Sequence, residues 1–349
     1  MKVLVTGSTG FIGAHLCRAL VQGGHEVRAF HRASSTLRLI EDLPLEHAIG
    51  DLAQLETIQE AIQGVDAIYH VAALLGGQAA PGRMYTITVE GTRAILQAAR
   101  AAGVKRLVYT SSVAALGVPE KPPSGDSTAI LLDENHSWNF APQTWPYGYT
   151  KHLAELEVQR AVAQGLDAVI VNPAFVLGAG DIYRRSSSLI VQTAQKRIPG
   201  LVKGGLNVVH IKDVIAGHLA AFERGKRGER YILGGENMSI AKLIHLIADV
   251  VGVSPPELVI PTGLVRMLSL PLTVLRSFIN APVSGSLMHL AGRFFYYDIR
   301  KAQVALGLQP PAPAREAIQD AYDWFKEAGD LPERVEVETE TIQTKNGDE

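Results

Sequence analysis

Residues 3–16 read VLVTGSTGFIGAHL: an apolar strand, a turn holding Gly7, Gly10 and Gly13, and the opening of a helix. Few folds start this way. Gly7 permits a tight turn, Gly10 lets the backbone approach a pyrophosphate, and Gly13 lets the helix pack closely on the strand. The helix N-terminus then offers unpaired N–H groups and a positive dipole end to an anion. A glycine turn without a ligand is the alternative, but the placement between strand and helix favours a nucleotide. One lysine and an apolar run imitate a secretion signal, yet the glycines break the run and no small-residue cleavage pattern follows.

The rest of the first half repeats the rhythm. KVLVTG, EVRAFHR, LEHAIG, AIYHVAA, RLVYTSS and DAVIVNP read as strands. Helical patterns lie between most of them, over Phe11–Gln22, Leu55–Ile62, Tyr85–Ala101 and Tyr147–Ala163. Apolar strands spaced by helices predict an α/β fold, a doubly wound parallel sheet covered on both faces, with ligands beyond the carboxyl ends of its strands. Residues 1–178 and 208–228 are assigned to this dinucleotide-binding domain, and 179–207 and 229–330 to a smaller, mixed substrate-binding region. The segment VVHIKDVIAGHLAAFERG reads as a strand and helix returning to the sheet, ERYILGGENMSIAKLIHLIADVVG as a strand and a helix capped near Ser239, and AREAIQDAYDWFKEAG as a final amphipathic helix. Val113 to Pro146 is proline-rich, carries Trp138, Phe140 and Trp145, and reads as a cover or a piece of core. Residues 331–349, polar and mostly acidic, read as a disordered tail.

Composition excludes several classes. With 349 residues, 47% of them hydrophobic, the chain can bury a large core. Thirty-three basic against 35 acidic residues give no broad basic field for nucleic acid. One cysteine, Cys17, excludes an internal disulfide framework and suits a reducing compartment, so a cytoplasmic protein is expected. No apolar stretch is long and clean enough to span a bilayer; the nearest, MLSLPLTVL, is broken by Pro271 and bounded by Arg266 and Arg276. The 11 histidines are scattered, so no metal site is expected, and His70, His210 and His218 have packing or loop readings.

The second strand ends AFHRASS, with no carboxylate until Glu41. NAD binders usually place an acid there against the ribose 2′-hydroxyl. Arg32 instead offers a fork for a phosphate, so NADP is expected, with NAD still open. Asp51, in GDL, either reaches the adenine or caps the next helix.

Chemistry is expected around YGYTK, where Tyr147 and Lys151 stand four residues apart on one helix face. YDIRK, Tyr297 to Lys301, has the same spacing. Only the first follows a strand ending in serines, Ser111 and Ser112, so the second reads as structural. A phenol ordinarily titrates near 10, and a neighbouring ammonium stabilises its phenolate. Tyr147 can then exchange a proton with a substrate oxygen that Ser112 hydrogen-bonds. Alternation along the strand favours Ser112 over Ser111.

Together, Gly7-x-x-Gly10-x-x-Gly13, GDL, HVAA, VEGT, VYTSSVAALG, Tyr147-x-x-x-Lys151 and NPAFVLG resemble the extended short-chain dehydrogenase/reductase family, also called NAD-dependent epimerase/dehydratases. Within it, GLNVVHIKDVIAGHLAAFERGKRGERYILGGENMSI is similar to the dihydroflavonol reductase-like and hopanoid-associated sugar epimerase-like branch. The resemblance implies catalytic Ser112, Tyr147 and Lys151. It implies a cofactor site at Gly7, Thr9, Gly10, Phe11, Ile12, Gly13, Arg32, Asp51, Leu52, Ala72, Tyr147 and Lys151, with Pro173 to Val176 beside the nicotinamide. Thr88 departs from the family, which often has Asn there. The expected partner is a small molecule, a carbonyl compound or a nucleotide sugar, and a homodimer is open. An NADP-dependent reductase of a ketone or aldehyde is the first reading. A sugar-nucleotide epimerase and a non-catalytic NADP-sensing regulator are the alternatives. A sugar 4,6-dehydratase is disfavoured, because Val113 and Ala114 follow Ser112 where such enzymes carry an acidic pair.

Overall fold

The computed structural model describes residues 1–74, 80–120, 130–183, 186–267 and 288–331. The expected acidic tail beyond Leu331, residues 121–129 of the proline-rich segment and residues 268–275 of MLSLPLTVL lie outside the described residues.

The chain runs β1 (Lys2–Thr6), α1 (Phe11–Gln22), β2 (Glu26–His31), β3 (Glu46–Ile49), α2 (Leu55–Ile62), β4 (Ala67–His70), α3 (Pro81–Tyr85), α4 (Gly91–Ala101), β5 (Arg106–Thr110), β6 (Leu131–Leu132), α5 (Pro146–Ala163) and β7 (Ala168–Pro173). It continues through β8 (Phe175–Leu177), α6 (Ser188–Ala194), β9 (Leu201–Val202), β10 (Gly205–His210), α7 (Ile211–Arg224), β11 (Arg230–Leu233), β12 (Glu236–Ser239) and α8 (Ile240–Val251) to a last helix, Ala314–Glu327. Seven strands form one parallel sheet in the order β11-β7-β5-β4-β1-β2-β3. The order reverses direction between β1 and β4, the switch point at which sheets of this kind bind ligands beyond the strands' carboxyl ends.

Successive strand residues face opposite sides, and here both sides are apolar. Val3, Val5, Val108 and Val171 join Leu16 of α1 and Val214 of α7 in one core layer. Leu4, Ile68, Leu107 and Ile170 join Ile58, Ile95 and Val158, from α2, α4 and α5, in the other. The helix expected over Tyr85–Ala101 is interrupted by a π-helical turn at Thr86–Glu90. The Thr92 hydroxyl donates to the Thr88 carbonyl at 2.6 Å, a side-chain bond that competes with the helical ladder.

Two expectations are corrected. The strand in VVHIKD does not return to the large sheet. β10 pairs with β8 in parallel and β12 antiparallel, in a second, three-stranded sheet. Pro173, lacking an N–H, closes β7, and the chain leaves the first sheet there. Conversely β11, from the stretch assigned to the substrate region, pairs with β7 and completes the large sheet. Ser239 caps α8 as expected, its Oγ accepting from Lys242 N at 3.1 Å. No helix among the described residues is long and apolar enough to cross a membrane, and no cluster of metal-ligating side chains occurs among them.

Candidate active site

The glycine turn is built as the spacing predicts. Gly7 has φ +67°, and a Cβ there would stand 2.9 Å from the backbone N of Ala72. A Cβ on Gly13 would stand 2.1 Å from the Gly7 carbonyl oxygen, so α1 touches the turn directly. Gly10 is the N-cap of α1 and brings no side chain to its first-turn N–H groups. Those donors, with Phe11 and Ile12 half-buried behind them, leave a cradle that fits a nucleotide diphosphate. Thr9 is buried at its floor and Ala72 half-buried beside Gly7. Leu52 is buried against Gly91 of α4.

Asp51 does not cap α2, whose N-cap is Gln54. Its Oδ1 accepts from Ala53 N at 3.0 Å and closes a local turn. Arg32, just past β2, is exposed, and its guanidinium makes no hydrogen bond among the described residues. The neighbouring His31 ring meets Nδ1 of His47 at 3.0 Å through its Nε2.

Beneath the cradle lies a buried chain with one consistent direction. Ala72 N donates to Thr6 Oγ1 (3.1 Å), which meets His70 Nδ1 at 2.7 Å; His70 Nε2 meets Thr92 Oγ1 at 3.0 Å. The Thr92 proton is spent on the Thr88 carbonyl, so Nε2 must be the donor and Nδ1 the acceptor. Thr88 Oγ1 in turn accepts from Leu74 N at 3.3 Å and tethers that backbone. His70 thus ties β1, β4 and α4 together.

Burial drives His70 down to about 3 and His218 to about 4. His218 is held neutral between the Thr110 hydroxyl (2.9 Å) and the Val214 carbonyl (2.7 Å). Both folded values lie below the unfolded value near 6.5, so the unfolded chain binds protons that the folded chain refuses. Stability should therefore fall as pH drops below about 6.5, with a slope approaching about 1.4 kcal/mol per pH unit for each histidine. Urea unfolding between about pH 6 and 5 should show a shallower slope for His218→Gln than for the unsubstituted chain.

At the carboxyl end of β5 the chemical residues meet. Ser112 caps a 3₁₀ turn, its Oγ accepting from Ala114 N at 3.2 Å, and its hydroxyl lies near enough to Tyr147 to act on the phenol's titration. Ser111 is buried, its Oγ without a hydrogen-bond partner among the described residues. Lys151 is only 2% exposed, and its Nζ donates to the Thr110 carbonyl at 2.8 Å. Burial raises the Tyr147 phenol above its usual value, with the nearby Ser112 hydroxyl opposing. Burial lowers Lys151 to about 7, with Glu155 opposing. Pro173 and Val176 are both buried at the neighbouring strand ends, in β7 and β8.

The second motif is built differently. Tyr297 is 3% exposed in a two-residue strand paired with β6, and burial raises its phenol far above the usual value. Lys301 is committed to Glu229 at 2.6 Å. The aromatic cover is largely core: Trp145 packs on Phe295, and Trp138 on Trp145, Tyr149 and His152. A Cβ on Gly148 would stand 2.8 Å from the Trp138 ring, so the cover rests on the residue next to Tyr147.

Sequence reasoning missed a buried polar net behind this site. Asn172 Nδ2 donates to both Ser112 O (3.0 Å) and Glu155 Oε1 (2.6 Å), and Arg230 reaches Glu155 Oε2 at 3.1 Å. Two signals were present: Asn172 is the polar residue in the apolar strand AVIVNP, and Glu155 stands one helical turn beyond Lys151.

A family model described as the NAD dependent epimerase/dehydratase family matches residues 3–234. A Synechocystis protein that carries the assigned name dihydroflavonol 4-reductase is 37% identical over 339 residues, covering 93% of this chain and 94% of that one. Sterol demethylase protein B of Methylococcus capsulatus is 35% identical over 347 residues, covering 94% of this chain and 99% of that one. The solved structure of gox2253 superposes with a TM-score of 0.82 at 35% identity, covering 95% of this chain and 99% of that one.

Proposed function

We propose, from the premise that this chain belongs to the NAD-dependent epimerase/dehydratase family, the extended short-chain dehydrogenases/reductases, that it reduces a ketone or aldehyde with NADPH. The chain is an NAD(P)-dependent oxidoreductase. The observation that carries the reductase reading is a Tyr147 phenol that burial keeps protonated, set beside Ser112 and one turn from the buried Lys151. A protonated phenol is the form needed to deliver a proton to a carbonyl oxygen.

In this reading NADPH, when bound, supplies the hydride to the carbonyl carbon. The first-turn N–H groups of α1 and the Gly7–Gly13 turn would hold its diphosphate. Ser112 donates a hydrogen bond to the carbonyl oxygen and fixes its position. Tyr147 gives that oxygen its proton, and the Lys151 ammonium stabilises the phenolate left behind. Ser111, buried without a hydrogen-bond partner among the described residues, takes no part in this reading. The similarity to a relative named for a reductase supports this direction of reaction.

Arg32 supports NADP over NAD, since no carboxylate stands at the end of β2 to meet a ribose 2′-hydroxyl. Losing a charge-assisted contact to the 2′-phosphate costs about 1.5–3 kcal/mol, or roughly ten- to a hundredfold in affinity. Arg32→Ala should weaken NADPH by that factor and leave NADH nearly unchanged, as measured by fluorescence titration. Equal losses for both nucleotides would remove Arg32 from the phosphate site.

The family's name keeps a second reading, a sugar-nucleotide epimerase that retains its cofactor through each cycle. Both reactions use the same Ser112, Tyr147 and Lys151 chemistry, so cofactor stoichiometry separates them. A carbonyl panel with NADPH should show one NADPH oxidised per carbonyl consumed. Protein that purifies with bound nucleotide, interconverts sugar epimers without added NADPH and oxidises none with any carbonyl would establish the epimerase instead.

A further inference from the structure

We propose that Glu155 is a positioning residue for the Tyr147–Lys151 pair. Its buried carboxylate holds Lys151 in the charged form and, through Asn172, ties that charge to the peptide of Ser112. The inference rests on the reductase reading above.

The argument begins with burial. Lys151 is 2% exposed, and among the described residues its Nζ has one acceptor, the Thr110 carbonyl. An ammonium buried this deeply tends to shed its proton, because desolvation penalises the charged form. The neutral amine would no longer stabilise a phenolate. Glu155, 4% exposed, lies one turn further along the same helix face and supplies the opposing charge.

Glu155 is itself held from two sides. Asn172 Nδ2 gives it a 2.6 Å bond at Oε1, and Arg230 meets Oε2 at 3.1 Å. Asn172 is fully buried, and its Oδ1 has no protein partner. A buried amide with its acceptor left idle is costly. The position therefore favours the donor end, which joins Glu155 to Ser112 O at 3.0 Å. One side chain thus couples the carboxylate to the strand end that carries the substrate-facing hydroxyl.

The other groups around Lys151 do not replace Glu155. His70, from β4, is kept neutral by burial, with the Lys151 charge lowering it further, so it brings no charge to Lys151. Tyr109, from β5, presents its ring 5.2 Å from Nζ. Tyr147, on α5, stays protonated through burial. From β11, Arg230 partly neutralises Glu155, and it is anchored to the carbonyls of Glu134 and His136. Glu134 spends its Oε1 on Ile232 N. His152, the remaining titratable neighbour on α5, is stacked on Trp138 and lowered by burial. Removing the Glu155 charge should therefore destabilise the ammonium, and removing the Arg230 charge should do the reverse.

The test is a ¹³C NMR titration of the full-length protein labelled at lysine Cε. The Lys151 resonance is identified by its loss in Lys151→Met. Glu155→Gln preserves shape and keeps an acceptor for Asn172, and it should lower the Lys151 midpoint by about one pH unit. Arg230→Gln should raise it. NADPH-linked carbonyl reduction should follow, with the basic limb of kcat/KM moving down in Glu155→Gln and up in Arg230→Gln. If Glu155→Gln fails to fold, the Arg230→Gln shift alone decides. An unmoved midpoint, with Tyr147→Phe still inactive, overturns this inference and spares the reductase. Displaced midpoints with full turnover in Tyr147→Phe overturn the reductase reading and leave the charge coupling standing.

Discussion

Tyr147→Phe should lower turnover by roughly a hundredfold or more, the span expected when a general acid is removed. The effect should fall on kcat for carbonyl reduction, with NADPH affinity and melting temperature near those of the unsubstituted chain. The ring fills the same space without its hydroxyl, and the cradle at Gly7–Gly13 lies on another element. Tyr297→Phe is the control. That tyrosine has the same spacing to a lysine, but it is core, and its lysine is occupied by Glu229. Turnover should survive there. Loss in Tyr297→Phe with retention in Tyr147→Phe would exchange the roles of the two motifs. Steady-state kinetics on both variants, with nucleotide titrations, decides it.

The second large effect should come from Gly13→Ala. Its Cβ would meet the Gly7 carbonyl oxygen at 2.1 Å, the Gly7 carbonyl carbon at 2.8 Å and Ser8 Cα at 3.0 Å. All three are backbone atoms, so no rotamer relieves the clash. Helix α1 must move off β1, at about 3 kcal/mol by the usual cost of overpacking. Melting should drop by roughly 4 °C, and NADPH binding should weaken at least about tenfold as the donors shift. Gly10→Ala separates the two consequences. Its Cβ meets only the Gly7 carbonyl oxygen, at 3.2 Å, so the fold should be nearly unaffected while the approach of a diphosphate is obstructed. A Gly13→Ala protein with normal melting and normal nucleotide affinity would show that α1 can shift freely, against the packing described above.

The first sheet was legible because its signals are local. Alternating apolar strands, glycine punctuation and helical periodicity fixed α1 at Phe11–Gln22 and α2 at Leu55–Ile62 with the bounds observed. The second sheet was not, because its pairings are between distant segments: Val208 lies against Phe175 on one side and Glu236 on the other. Nothing in VVHIKD distinguishes a strand that rejoins the large sheet from one that starts another. The π-helical turn was hidden for a different reason, since a helical pattern is indifferent to one threonine hydroxyl bonding back to a carbonyl. At the candidate site, a serine-ended strand set Tyr147 apart from Tyr297 in the sequence, and the structure adds that Tyr297 is core and its Lys301 paired with Glu229. The Glu155–Asn172–Arg230 net was not visible, because a charge is read as solvated unless tertiary packing buries it.

The pairing of β11 with β7 also has a consequence for how the chain is made. Synthesis proceeds from the N-terminus, and domains begin to organise as they emerge. A chain that has emerged only to residue 229 has every strand of the large sheet except β11. One edge of Ala168–Pro173 is then bare, and its run AVIV is apolar, β-branched and uncharged, the composition that recruits strands from other molecules. Glu155 is buried at the same stage without the guanidinium of Arg230. Synthesis thus delivers the cap of the sheet and the counter-charge of the net together, because Arg230 is the first residue of β11.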